Sequence, residues 1–211
     1  VDFADRSDDA FQKMGKRANY ANALHQAGRT AEAEALFNEA EAMQKERQPS
    51  YPILYSMQGI WYCDLLLDQG RRREVQDRAE QTLQWAKRNG LSLLTVAMNH
   101  LSLGRAHLGE AQQAEAGDFS KAAQHLGRAV DGLRQAGNQE FIVRGLLARA
   151  ALPRLRSDFE RARRDLDEAM SIAERGSMGL YQVDARLEYT RLDLAMGNKP
   201  NAREHLAAAK E

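Results

Sequence analysis

The sequence predicts an all-α fold, a right-handed superhelical solenoid of about five antiparallel helical hairpins, and three observations carry that expectation. The first is composition. Only 4 Pro and 7% aromatic residues stand among abundant Ala, Leu, Glu, Arg and Gln in 211 residues, a mixture that helix propensity favours almost throughout. The second is an internal repeat. Ala33, Phe37 and Ala40; Ala122, Leu126 and Ala129; Ala162, Leu166 and Ala169; and Ala202, Leu206 and Ala209 all fit the pattern A-x-x-x-[LF]-x-x-A. Val75, Ala79 and Thr82 form a weaker copy. Spacings of four and three place each triplet on one helical face, and its two small members let a neighbouring helix approach closely. The third is punctuation, because a short breaker precedes every copy.

Those breakers fix the elements in order. They are Gly28 to Thr30, Gly70 and Arg71, Gly117 to Phe119, Ser157 to Phe159, and Gly197 to Pro200. Gly or a small polar residue ends one helix, Thr30, Asp118, Asp158 or Asn198 is suited to cap the next, and Pro200 fits a first turn. Upstream of each lies an amphipathic run, such as Tyr20, Ala21 and Leu24 or Tyr62, Leu65 and Leu66. The expected hairpins therefore span about 8–47, 51–89, 91–136, 139–175 and 178–210, giving about ten helices: 8–27, 30–47, 51–69, 71–89, 91–115, 118–136, 139–156, 158–175, 178–196 and 199–210. No linker or low-complexity tract cuts the chain, so residues 1–211 are expected to form a single domain. The stretch from Gly109 to Gly117 is expected as either an extra helical turn or a projecting loop. Pro153 is expected to kink its helix.

A small residue opening the second helix, a Leu or Phe four later, an Ala three after that, and a preceding Gly-Asp/Asn turn resemble the tetratricopeptide repeat over nearly the whole chain. The opening residues Ala33, Val75, Ala122, Ala162 and Ala202 lie 42, 47, 40 and 40 apart, against a family period of 34, so the helices must be longer than usual. HEAT and armadillo repeats share a period near 40, but lack so regular a Gly-Asp turn. Long repeats, with the phrases at 101–108, 145–150 and 174–181, resemble the sensor arms of bacterial signal-transducing ATPases. That resemblance implies a binding module of a larger bacterial protein, with an ATPase or effector domain elsewhere in the parent chain. The family's chaperone-tail binders imply a basic and amide clamp; this chain keeps Asn22 but has Ala18 where a Lys is wanted.

Charge and motifs exclude several functions. Lys plus Arg equals Asp plus Glu at 30 each, which removes the field that non-specific nucleic-acid binding needs. The longest apolar stretch, Leu91 to Met98, is too short for a membrane helix. The single Cys63 allows no intrachain disulfide and suggests a reducing, cytoplasmic setting. The N-terminal Val-Asp-Phe-Ala-Asp lacks an initiator Met, which suggests a segment of a longer polypeptide. No phosphate loop, G-x-G-x-x-G, G-x-S-x-G or H-E-x-x-H is present, so no enzymatic role, cofactor or metal is expected. His100 and His107, seven apart, share one face, and buried hydrogen-bonded imidazoles are expected rather than ligands. His125 and His205 are expected on the outer surface. Cys63 is expected as a buried hydrophobe, and Asp165, Asp167, Glu168 and the run Arg71 to Arg73 as solvated surface.

In stacked hairpins the first helices line the concave side, and their polar positions form a groove. Those positions bring out Asn19, Asn22 and His25, then Trp61, Asp64 and Asp68, then Arg105, Arg144 and Arg154, and finally Arg191 with Glu188. Asn holds peptide backbone, Trp anchors, and Arg grips carboxylates with two hydrogen bonds. The expected partner is a protein or peptide segment with an acidic part, which makes the chain an interaction or ligand-sensing module of a signalling protein. A stand-alone scaffold or co-chaperone, and a small-molecule regulatory domain, are the alternatives. The last helix lacks a polar cap, which suggests continuation or end-to-end self-association.

Overall fold

The structure is a computed structural model that describes residues 10–114 and 117–210. The described residues form ten α-helices and no strand. Packing divides the chain into two compact units, Val1–Gly90 and Leu91–Glu211.

The first unit holds two hairpins, α1 (Ala10–Gln26) with α2 (Thr30–Arg47) and α3 (Ser56–Asp68) with α4 (Arg72–Arg88). Gly28 and Gly70 turn each hairpin at φ +77 and +75, the left-handed conformation that costs glycine least. Within the turns Arg29 N–H donates to the Leu24 carbonyl and Arg71 N–H to that of Leu66, both at 2.9 Å. Ala33, Phe37, Ala40, Val75 and Ala79 are wholly buried, so strong and weak copies of the triplet do the same packing. Phe37 stacks on Tyr62 with ring centroids 4.8 Å apart.

Two expectations in this unit are corrected. Thr30 does not cap α2; it is the first helical residue, and Arg29 stands at the cap without a side-chain bond. Nor does α3 begin at residue 51. Pro52 has no N–H and pushes Tyr51 out of helical geometry, while the Leu54 N–H is taken by Glu41 Oε2 at 2.9 Å. This segment crosses α3 so closely that a Cβ at Gly59 would stand 2.3 Å from the Leu54 carbonyl oxygen. The expected helical residues 8 and 9, and the N-terminal five, lie outside the described residues.

The second unit holds α5 (Leu93–Gln113), α6 (Ser120–Ala136), α7 (Gln139–Leu155), α8 (Phe159–Arg175), α9 (Gly179–Ala195) and α10 (Lys199–Ala208). Consecutive helices pair, and α7 also touches both α5 and α9, so the three first helices lie side by side. Asp158 and Asn198 cap as expected, accepting from the N–H of Arg161 at 3.2 Å and of Asn201 at 3.4 Å; Asp118 does not, because Phe119 stands at the cap of α6 without a side-chain bond and Asp118 Oδ1 instead accepts from the Ser120 N–H at 2.8 Å. Ala122, Leu126 and Ala129 are wholly buried, and Ala162, Leu166 and Ala169 are at most 1% exposed. The fourth copy differs, for Leu206 is 40% exposed. Glycine brings facing helices together: a Cβ at Gly145 would meet Leu133 Cδ1 at 2.7 Å, and one at Gly104 would meet Leu126 at 2.8 Å. Residues 115 and 116, in the stretch expected as an extra turn or a loop, lie outside the described residues; α5 itself runs to Gln113. Pro153 sits in the last turn of α7, and its carbonyl accepts the Asp158 N–H at 2.8 Å.

The α7–α8 turn places Ser157 at φ +60, where the turns at 28, 70 and 197 have glycine. A left-handed non-glycine residue carries a steric cost of roughly 1 kcal/mol. Ser157→Gly is therefore expected to raise the stability of the chain by about 0.5–1 kcal/mol in urea unfolding.

Candidate functional site on the first helices

In the first unit α1 and α3 supply the polar face. Asn19 is exposed and Asn22 and His25 are half-buried. His25 Nε2 lies 2.8 Å from Asp68 Oδ2, which ties α1 to α3. Trp61 is half-buried, whereas Asp64 is only 9% exposed, because α1 packs against α3. This face is thus already cross-linked by its own polar groups.

In the second unit α7 and α9 bring together three of the arginines that the sequence singled out. Arg154 Nη2 lies 3.8 Å from Glu188 Oε2, and Arg191 pairs with the same carboxylate through Nη1. Arg144 acts electrostatically on Tyr181 and Asp184. Arg191 has the most open side chain, 58% exposed against 18% for Arg154. Arg105 is half-buried on α5.

Sequence reasoning passed over Tyr181 and Asp184. The spacing 181, 184, 188, 191 was the available signal, since steps of three, four and three put all four side chains on one face of α9. Tyr181 Oη donates to Glu140 Oε1 at 3.1 Å. Burial, then the Glu140 charge, pushes the Tyr181 phenol up to about 12. Loss of surrounding water, then the charge of Glu188, raises the Asp184 carboxyl, with Arg191 and Arg144 opposing. The wall alternates in sign and carries little net charge. A cavity of about 220 Å³ opens at its start, lined by Glu140, Met178, Gly179, Leu180 and Tyr181, below the roughly 300 Å³ of an ordinary small-molecule site.

Other polar groups, some of them expected at the surface, are structural. Asp165 is 6% exposed and holds Arg149 through two hydrogen bonds of 2.9 and 2.7 Å, because α8 turns it toward α7. Arg71 bridges Glu34 and Glu74. Arg78 is clasped by both oxygens of Glu41 and lies 4.4 Å over the Tyr62 ring. His125 points inward, its Nδ1 2.9 Å from His100 Nδ1, because its position beside Leu126 faces α5. His205 stacks on Tyr189 at 4.9 Å. Cys63 is buried, as expected.

Paired helices with first helices laid side by side define an all-α helical-repeat protein. No family model matches the chain, and no curated protein matches it. Among solved structures it is similar to a thermophilic tetratricopeptide-repeat protein of Thermus thermophilus. The two share 18% identity over 93% of this chain and 89% of that one, with a TM-score of 0.65. At that identity the likeness speaks for the fold alone, which is that of a tetratricopeptide-like helical repeat. Among the described residues no helix is long and apolar enough to cross a membrane.

Removing one partner of a buried ion pair strands the other charge. Arg78→Met is expected to cost about 3–5 kcal/mol in chemical unfolding, and Arg78→Met with Glu41→Leu to recover much of it. Tyr181 gives a pH dependence. Its phenol ionises near 10 in the unfolded chain and at about 12 in the folded one, so the unfolded state releases its proton first and stability falls as pH rises through that interval. Tyr181→Phe should shrink this alkaline loss in melts between about pH 9.5 and 11.5.

Proposed function

We propose that this chain is a protein-interaction module whose polar first-helix faces receive a segment of another protein. The observation that carries the reading is the α7–α9 wall, where Arg144, Arg154 and Arg191 stand with Tyr181, Asp184 and Glu188 on neighbouring rigid helices. Helical repeats of this class present such surfaces with little reorganisation on binding. Arg191 is held by Glu188 yet well exposed, so a partner carboxylate competes for it by replacing one acid with another. An acidic segment is therefore the partner chemistry proposed, with Arg105 and the α1–α3 face of Asn19, Asn22, His25, Trp61 and Asp64 as further contacts.

The wider setting is proposed on the same footing: a cytoplasmic, bacterial signalling protein in which residues 1–211 act as one solenoid beside an ATPase or effector domain. Its support is the long repeat period and the resemblance to sensor arms. The stand-alone scaffold reading shares the same groove. The small-molecule reading is weakened by the size of the α7–α9 cavity.

The test is a photo-crosslinking residue at position 181, compared with one at Lys121 on an outer helix, followed by affinity measurement for the captured partner. Capture at 181 alone is expected. Arg105→Glu and Arg191→Glu should each weaken binding by roughly tenfold, about 1.4 kcal/mol. Capture through Lys121, or unchanged affinity in both variants, moves the site elsewhere.

A further inference from the structure

The wall of α7 and α9 carries an apolar feature beside its charges. Met178, Gly179, Leu180 and Tyr181 at the start of α9, with Glu140 at the start of α7, line the cavity of about 220 Å³. Leu180 is 79% exposed, the most open of the large apolar side chains among the described residues. The cavity is small for a free ligand. A hollow that receives one side chain of a partner is the usual seat of an interface anchor.

Leu180 and Arg191 stand eleven positions apart on α9. At 3.6 residues per turn that is three turns, so both project within about 20° of one direction, and at 1.5 Å per residue they lie about 16 Å apart along the axis. Exposed Asp184 and half-buried Leu187 lie between them on that face. A helix laid apolar face down would cover the Asp184 carboxylate and take it from water, which is costly. An extended backbone brings N–H donors to it instead. Charge sets the order of contacts. Exposed Glu140 at the cavity repels an acid, Arg144 is already set against Asp184, and Arg191, 58% exposed, offers a guanidinium at the far end.

We propose, building on the docking role given to this wall, that the segment it receives is extended and carries one large apolar side chain, seated in the cavity beside Leu180, and a carboxylate four to six positions away, held by Arg191. The spacing follows from the helix: about 16 Å takes about five residues at roughly 3.3 Å each, and the length of the arginine side chain allows one more or one fewer. Specificity then resides in a distance as well as in charge, because an acid beside the anchor meets Glu140 and one much farther along overshoots Arg191.

The test uses capped, fluorescein-labelled glycine–serine peptides with one leucine and two adjacent glutamates, their separation varied from one to ten residues, bound to the whole chain and read by fluorescence polarisation. Binding is expected to be tightest at separations of four to six. It should weaken roughly tenfold when the leucine becomes serine or when the glutamates adjoin it. A Cβ at Gly179 meets nothing within 4 Å, so Gly179→Phe should keep its helical circular dichroism and, by filling the cavity, remove the preference for leucine. Arg191→Glu should weaken every acidic peptide by roughly tenfold. No binding by any peptide, or binding that ignores leucine and separation, overturns the anchor and its spacing. In the second case, a loss of affinity in Arg191→Glu leaves the docking surface standing, and equal affinity in that variant removes both. The peptide changes are read on the unaltered chain, so they decide the matter even if a variant fails to fold.

Discussion

The whole arrangement depends on how closely one helix can lie on the next. Alanine at both ends of the triplet, with a single bulky residue between, removes enough side chain for helix backbones to approach while one Leu or Phe fills the space left between them. The wholly buried Ala33, Phe37 and Ala40 and their counterparts at 122, 126 and 129 show the device in both units. Gly104 and Gly145 extend it to the first helices, where a methyl group would already collide with a leucine.

Close apolar contact brings hairpins together, and polar pairs choose their register. Arg78 with Glu41 and Arg149 with Asp165 each join different helices at mostly buried positions. A shift of one helical turn would leave a charge without its partner, which is costly in a low-dielectric interior. Glu41 does double duty, since it also takes the Leu54 N–H and so ties the connection between hairpins to the helix beneath it.

Much of the fold was legible because its determinants are local. Period, breaker and triplet are each read within a few residues, and every helix from α4 to α10 begins within two residues of where those signals put it. The start of α3 was misjudged because Tyr51 to Tyr55 looks as apolar as a helix, while its proline and its long-range bond to Glu41 decide otherwise. The site was less legible. Arg144, Arg154 and Arg191 could be placed on first helices by periodicity, but the pairing of Arg154 with Glu188 and the contact of Tyr181 with Glu140 join residues 34 and 41 apart. His125 was misassigned for the same reason: a position one residue from a core leucine faces inward or outward according to the tilt of a partner helix that the sequence does not state.

The economy of the triplet has a consequence for sequence diversity. Three side chains and a turn suffice to seat each hairpin of roughly forty residues, so most remaining positions are free to drift as long as they stay helical and wettable. Very different sequences can therefore take up the same shape, as this chain and the thermophilic repeat protein do at 18% identity over 93% of this chain.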